Sequence, residues 1–248
     1  TLFILRSRKH DSPIIRLSTF ADGRFLSMNL TSIAVNFAAF SIMLLVPFWL
    51  ARTAGLDAKT GDARWRAELE LRLSGGVGAD ERTVVVASEE GEVVALEADS
   101  GKVRWRARVS SEVLSPPALG GGVVLVRSID NRVFAFGADD GKRRWVYQRA
   151  PTALLVRAAA GITIAGDLAY AGFPGGRLAA LSLENGAVRW EATVAVQRGA
   201  TELERVADVI GAPAVQDREV CAAAYRSRVA CYDATTGRPL WGRELAAL

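Results

Sequence analysis

The chain has 248 residues, half of them hydrophobic, which is enough to bury a sizeable core. Its formal charge is only +4, with Arg and acidic residues interspersed, so composition argues against a nucleic-acid-binding surface. One histidine, His10, and two cysteines, Cys221 and Cys231, argue against a zinc centre and leave any Ser-His-Asp arrangement dependent on His10.

Residues 1–24 form a basic N-terminal segment carrying Arg6, Arg8 and Lys9. Residues 25–51 then run 27 positions without a charge, bounded by Arg24 and Arg52. That length crosses a bilayer as a helix. Basic residues are denser on the N-terminal side, which would leave that end cytoplasmic. The run exceeds a signal-peptide core and shows no obvious Ala-x-Ala site, so an uncleaved membrane anchor is the first expectation. Two alternatives stand beside it: an apolar helix or strand packed on the rest of the chain, and a segment not native to the repeat region. The composition shifts abruptly at Arg52, which keeps the last reading open.

From residue 56 onward the chain repeats itself. Residues 91–105 read GEVVALEADSGKVRW, 131–145 NRVFAFGADDGKRRW, 176–190 GRLAALSLENGAVRW and 227–241 SRVACYDATTGRPLW, with a partial copy, LDAKTGDARW, at 56–65. The closing indole falls at Trp65, Trp105, Trp145, Trp190 and Trp241, giving spacings of 40, 40, 45 and 51 residues. A period of this size with a strand pair in each copy predicts β-propeller blades, and hence a partial propeller domain over 56–248.

Each full copy reads as a three-strand hairpin. In the first, residues 83–87, 92–96 and 102–107 alternate with period two, Val93 and Ala95 on one face, Val94 and Leu96 on the other. Asp99-Ser100-Gly101 supplies a turn in which Gly accepts a positive φ. The following copies predict strands at 123–127, 132–136 and 143–147, then at 163–164, 168–171, 177–181 and 187–194, then at 219–224, 228–232 and 238–243. The five Trp are expected to be packing wedges against the adjacent blade. Gly-rich stretches at 75–78 and 120–122 precede strands and lack a following Gly-Lys-Ser/Thr, so they do not read as phosphate loops.

Two connections break the period. Residues 150–160 read APTALLVRAAA and 196–213 read VQRGATELERVADVIGAP. Insertions in a repeat array commonly emerge on one rim and carry binding. The first offers Leu154, Val156 and Arg157, and the second Glu202, Glu204, Arg205 and Asp208. Arg beside apolar residues suits a protein interface, because its fork pairs with carboxylates while its stem packs. The alternative makes Leu154 and Val156 core strand residues and Arg157 a solvated edge; strand edges also admit an extended peptide. Cys221 and Cys231 flank a turn centred on Arg226, so a hairpin sets them opposite, as a disulfide or as two small buried thiols.

The segments LSGGVGAD at 73–80, EVLSPPAL at 112–119, LLVRAAAG at 154–161 and GATELERVADVIGAP at 199–213 carry a resemblance. Over about residues 56–248 the chain resembles the BamB family of outer membrane protein assembly factors, within the wider PQQ-like repeat propellers. The resemblance implies an all-β, eight-bladed propeller of Trp-docking blades, of which this chain supplies four to five, following the N-terminal apolar segment read above as helical. It implies a non-catalytic scaffold at the periplasmic face of the outer membrane, without cofactor or metal. Its partner would be the barrel-folding subunit BamA, with unfolded outer-membrane proteins as further clients. The family's binding loops map onto Leu154, Val156, Arg157 and the acidic loop, with Asp208 matching and Ile210 standing at a second acidic position. No Cys precedes Cys221, so the lipidated Cys of the family has no counterpart and an inner-membrane anchor through 25–51 is the alternative. Rival functions are a PQQ-dependent quinoprotein dehydrogenase and a membrane-anchored sensor module. Against the enzyme, Asp99, Asp139, Asp140 and Glu184 fall in blade turns rather than at a common centre.

Overall fold

The computed structural model describes residues 63–149, 160–196, 206–225 and 228–244. The basic segment 1–24 and the apolar run 25–51 lie outside the described residues, as does the helix expected there. Among the described residues, no helix is long and apolar enough to cross a membrane.

The described chain is all-β. β1 (Leu73–Ala79), β2 (Thr83–Ser88), β3 (Glu92–Glu97) and β4 (Val103–Arg108) form one antiparallel sheet in sequence order. β5 (Ala118–Gly120), β6 (Val123–Arg127), β7 (Arg132–Gly137) and β8 (Arg143–Gln148) form the second. β9 (Ile162–Ala165), β10 (Leu168–Phe173), β11 (Arg177–Ser182) and β12 (Val188–Thr193) form the third. β13 (Val209–Gln216), β14 (Glu219–Ala224), β15 (Arg228–Asp233) and β16 (Pro239–Glu244) form the fourth. The four up-and-down sheets are arranged as consecutive propeller blades that do not close.

Every described blade has four strands, where the hairpin pattern suggested three in all but the third, whose first strand was expected at 163–164. The fourth strand is the first of each sheet, and β1, β5, β9 and β13 line the blade-to-blade approaches, with β10 against β13 and β6 against β9. β5 and β9 are short and β1 is glycine-rich, so these lack the apolar alternation that marks the others. Gly75, Gly76 and Gly78 lie inside β1, not before a strand. The reason is steric: a Cβ on Gly78 would stand 2.0 Å from the Pro117 carbonyl oxygen. Gly120 likewise ends β5 against Ile164 of β9, where a Cβ would meet Cγ2 at 2.9 Å. Small residues let the inner strands approach.

The two central strands of a blade are buried on both faces, so they read as nearly continuous apolar runs. Val124 and Val126 of β6 pack towards the first blade, among Val85, Val93 and Trp105. Leu125, between them, packs towards the third blade, among Ala169, Phe173 and Leu181. The same alternation sends Val94 and Leu96 away from Val93 and Ala95, into a cluster closed by Trp65, Leu69 and Leu71. Full burial of each such side chain contributes about 1.5–3 kcal/mol, so each inter-blade seam outweighs any single hairpin. Stability therefore lies between repeats rather than within them.

The indoles make the seams specific. Trp65 donates its Nε1–H to the Ala98 carbonyl at 2.8 Å, Trp105 to Ala138 at 2.8 Å, Trp145 to Leu183 at 2.8 Å and Trp190 to Ala234 at 2.9 Å. Three residues after each acceptor stands a glycine of positive φ: Gly101, Gly141, Gly186 and Gly237. The ring lies where that glycine's Cβ would be, so one residue serves both the turn and the ring. Trp105, Trp145 and Trp190 are buried by this contact, whereas Trp241 remains 48 % exposed.

Candidate functional site

Strand register separates two rims. Because Ala95 pairs with Trp105 and Leu96 with Val103, the turns at 98–101, 138–141, 183–186 and 234–237 all lie at one end of the blades. Arg132 pairs with Gln148 and Arg177 with Thr193, so the turns at 128–131 and 174–176 lie at the other end, with the inter-blade connections. The described feet of both off-period connections, Arg149 and Ala160 for the first and Val196 and Asp208 for the second, belong to this second rim. Asp99, Asp139 and Asp140 belong to the first, where Asp99 meets Arg64 at 4.0 Å, Asp139 meets Arg104 at 3.1 Å and Asp140 meets Arg144 at 3.2 Å. Exposed Glu184 sits at that rim too. These acids serve turns and surface pairs and do not converge.

Of the residues expected to bind a partner, Leu154, Val156, Arg157, Glu202, Glu204 and Arg205 lie outside the described residues. Asp208 is described, and it is buried at 4 % exposure. Its Oδ1 accepts the Gly175 N–H at 2.9 Å, in the turn that follows β10. Its own carbonyl accepts the Tyr225 N–H at 2.8 Å, in the fourth blade. Asp208 thus joins the third blade to the fourth at the foot of the second insertion. Ile210, two residues on, pairs with Ala223 inside the fourth sheet.

Around this foot lies a cluster that patterning did not single out. Arg127 ends β6 and reaches across the seam, donating to the Gly172 carbonyl and, at 3.5 Å, to the Ala160 carbonyl. Its guanidinium lies over the Phe173 ring, 4.8 Å from the centroid. Burial lowers the Arg127 pKa to about 10 and Asp208 opposes that fall, so at neutral pH the group stays cationic. Arg149 approaches the same ring at 5.8 Å and pairs with Glu191 at 2.6 Å. Tyr147 packs edge-on against Phe173, centroids 5.5 Å apart, and donates its hydroxyl to Glu191 at 3.3 Å. Burial, then the Glu191 carboxylate, holds the Tyr147 phenol above its usual range. The sequence did contain one signal for Arg127. In the register set by the Trp, its counterparts in the other blades are Ala87, Gly172 and Ala223, so a cation interrupts a small-residue position.

The feet of the two insertions also touch. The Gly161 N–H donates to the Gly211 carbonyl at 3.2 Å, and the Thr163 hydroxyl donates to the Pro213 carbonyl. The described feet of the two insertions are therefore joined by hydrogen bonds between the third and fourth blades. Beside them, Arg127 and Arg149 face the Phe173 ring, and Arg149 pairs with Glu191.

Cys221 and Cys231 pair directly across β14 and β15, with Cα atoms 4.0 Å apart, and form a disulfide. Glu219 and the two sulfurs lie within 4.8 Å of one another. Joined as a disulfide, the sulfurs offer no thiolate to a metal.

Comparison with known proteins places this architecture. A model of the family described as outer membrane protein assembly factor BamB matches residues 51–248. The chain is 45% identical over 192 residues to outer membrane protein assembly factor BamB of Bordetella pertussis, covering 77% of this chain and 50% of that protein. It is 49% identical over 196 residues to the protein of the same description from Pseudomonas aeruginosa, covering 79% and 52%. The crystal structure of BamB from Moraxella catarrhalis superposes with a TM-score of 0.70 at 29% identity, over 75% of this chain and 57% of that one. A quinohemoprotein alcohol dehydrogenase from Pseudomonas putida HK5 superposes with a TM-score of 0.58 at 14% identity, covering 74% and 35%, which is a similarity of fold alone. The chain spans about half the length of the curated relatives it matches. A match across four fifths of the chain, through every blade and both insertions, makes it a member of the outer membrane protein assembly factor BamB family.

Proposed function

We propose that this chain is a non-catalytic scaffold of the outer-membrane β-barrel assembly machinery. In this reading the insertion rim grips the barrel-folding subunit BamA at the periplasmic face of the outer membrane. Unfolded outer-membrane proteins are the further clients. The four blades form part of an eight-bladed, Trp-docked PQQ-like propeller within 56–248, preceded by the basic segment 1–24 and the apolar segment 25–51. The observation that carries the reading is the joining of both off-period connections at one rim, in a chain whose relatives are named assembly factors. The Cys221–Cys231 disulfide fits the oxidising compartment this location requires.

The test is capture of the folded chain by the purified periplasmic domains of BamA. Arg157→Glu combined with Leu154→Ala alters the expected contacts at two positions outside the described residues. Loss of capture, with an unchanged circular dichroism spectrum, is the expected result. Capture equal to that of the wild type would remove the first insertion from the interface.

A further inference from the structure

The cluster at the foot of the insertions contains a charged residue that the scaffold reading leaves without a task. Arg127 lies in the second blade, but its donors leave that blade entirely. They reach Ala160, the last residue of the first insertion, and Gly172, in β10 of the third blade. Its guanidinium also covers Phe173, the last residue of β10. The next turn, at 174–176, is held from the other side by Asp208, the foot of the second insertion. One short stretch, residues 172–175, is thus held by Arg127, which also reaches the foot of the connection entering the third blade, and by Asp208, at the foot of the connection leaving it.

Such a grip has a physical cost that a packing role alone does not explain. The equivalent positions Ala87, Gly172 and Ala223 fill the seam with small side chains and bury no charge. A partly buried cation loses hydration and needs fixed acceptors in return. Here those acceptors are backbone carbonyls on the two sides of the insertion foot, together with an aromatic face. The residual attraction between Arg127 and Asp208 links the two grips.

We infer that Arg127 is the positioning residue of the insertion rim, holding Ala160 and the 172–175 stretch in register with Asp208 at the feet of both insertions. The effect on partner binding rests on the scaffold reading; the positioning itself does not. Arg127 acts through the backbone groups it holds and not by touching the partner.

The experiment uses the full chain as wild type, Arg127→Met and Arg127→Lys. Amide hydrogen exchange is read at Gly161 and Gly175, and at Gly101 and Gly141 on the opposite rim as controls. Capture by the periplasmic domains of BamA is read in parallel. For Arg127→Met, Gly161 and Gly175 should exchange about 10- to 100-fold faster, the loss expected for hydrogen bonds from a charged donor, with the controls unmoved. Capture should weaken by about tenfold, with Arg127→Lys between the two, because a lysine keeps the charge without the planar fork. Exchange at Gly161 and Gly175 unchanged in Arg127→Met would overturn the assignment. If that variant does not fold, Arg127→Lys decides: faster exchange confined to Gly161 and Gly175 supports it, and a uniform rise in all blades sinks it. If the wild type is not captured at all while the local exchange still rises, the scaffold reading fails and the positioning role stands.

Discussion

Trp145 donates its indole N–H to the carbonyl of Leu183, 38 residues further along, and lays its ring where a side chain on Gly186 would be. No blade contains both halves of this contact. A hairpin ending in Trp is therefore an incomplete unit, and the following blade supplies its acceptor and its ring seat. The same geometry at Trp65, Trp105 and Trp190 turns a set of marginal hairpins into an arc with cooperative seams.

Gly186→Ala tests the ring seat. The new Cβ would lie 2.6 Å from Trp145 Cε3, on a residue of φ +73°. Left-handed backbone and overpacking together should cost about 2–4 kcal/mol. Gly166→Ala shares a positive φ of +61° but meets nothing within 4 Å, so it should cost only about 1 kcal/mol. Urea midpoints of the two variants give the comparison; equal losses would mean the ring seat is irrelevant.

Trp145→Ala and Trp241→Ala form a second contrast. Trp145 is 9 % exposed and Trp241 48 % exposed. The buried truncation should cost about 3–5 kcal/mol, the exposed one about 1 kcal/mol or less. Chemical denaturation of both variants would show it, and a Trp241 loss as large as that of Trp145 would contradict the seam account.

The disulfide closes a hairpin with a sequence separation of 10. Restricting so short a loop in the unfolded chain contributes about 2–3 kcal/mol. Melting with and without dithiothreitol should differ accordingly. Cys221→Ala with Cys231→Ala should melt alike in both buffers, and a reductant effect surviving in that variant would point elsewhere.

Asp233 supplies an acid-range prediction. Its Oδ1 accepts from the Thr236 N–H at 2.8 Å, the Thr236 hydroxyl at 2.8 Å and the Thr235 N–H at 3.1 Å. The Thr236 bonds chiefly hold its pKa below the usual 3.8. A depressed folded value means the stabilisation is present above the unfolded pKa and is lost as pH falls through the folded one. The stability gap between wild type and Asp233→Asn should therefore be constant at pH 5–7 and shrink below about pH 4. Denaturant titrations across that range test the sign, and a gap that widens in acid would refute it.

Much of this fold is local and was legible in the chain. Asp99-Ser100-Gly101 and its counterparts announce a positive-φ turn, and Val93 to Leu96 announce a strand buried on both faces, because period and turn chemistry act between near neighbours. The first strand of the blade was legible only in the third, where 163–164 falls within β9. LSGGVGA carries no alternation, since its glycines answer to Pro117, Ser115 and Val113, which lie beyond the blade's own strands. Nor did patterning find the rim cluster. Arg127 stood out only as a cation in a small-residue position, and its meaning depends on Ala160 and Gly172, 33 and 45 residues away. The repeat thus encodes hairpins, indoles and turns one copy at a time. Which carbonyl, ring or carboxylate each of them meets is settled across the seams, because those contacts exist only once neighbouring blades are packed.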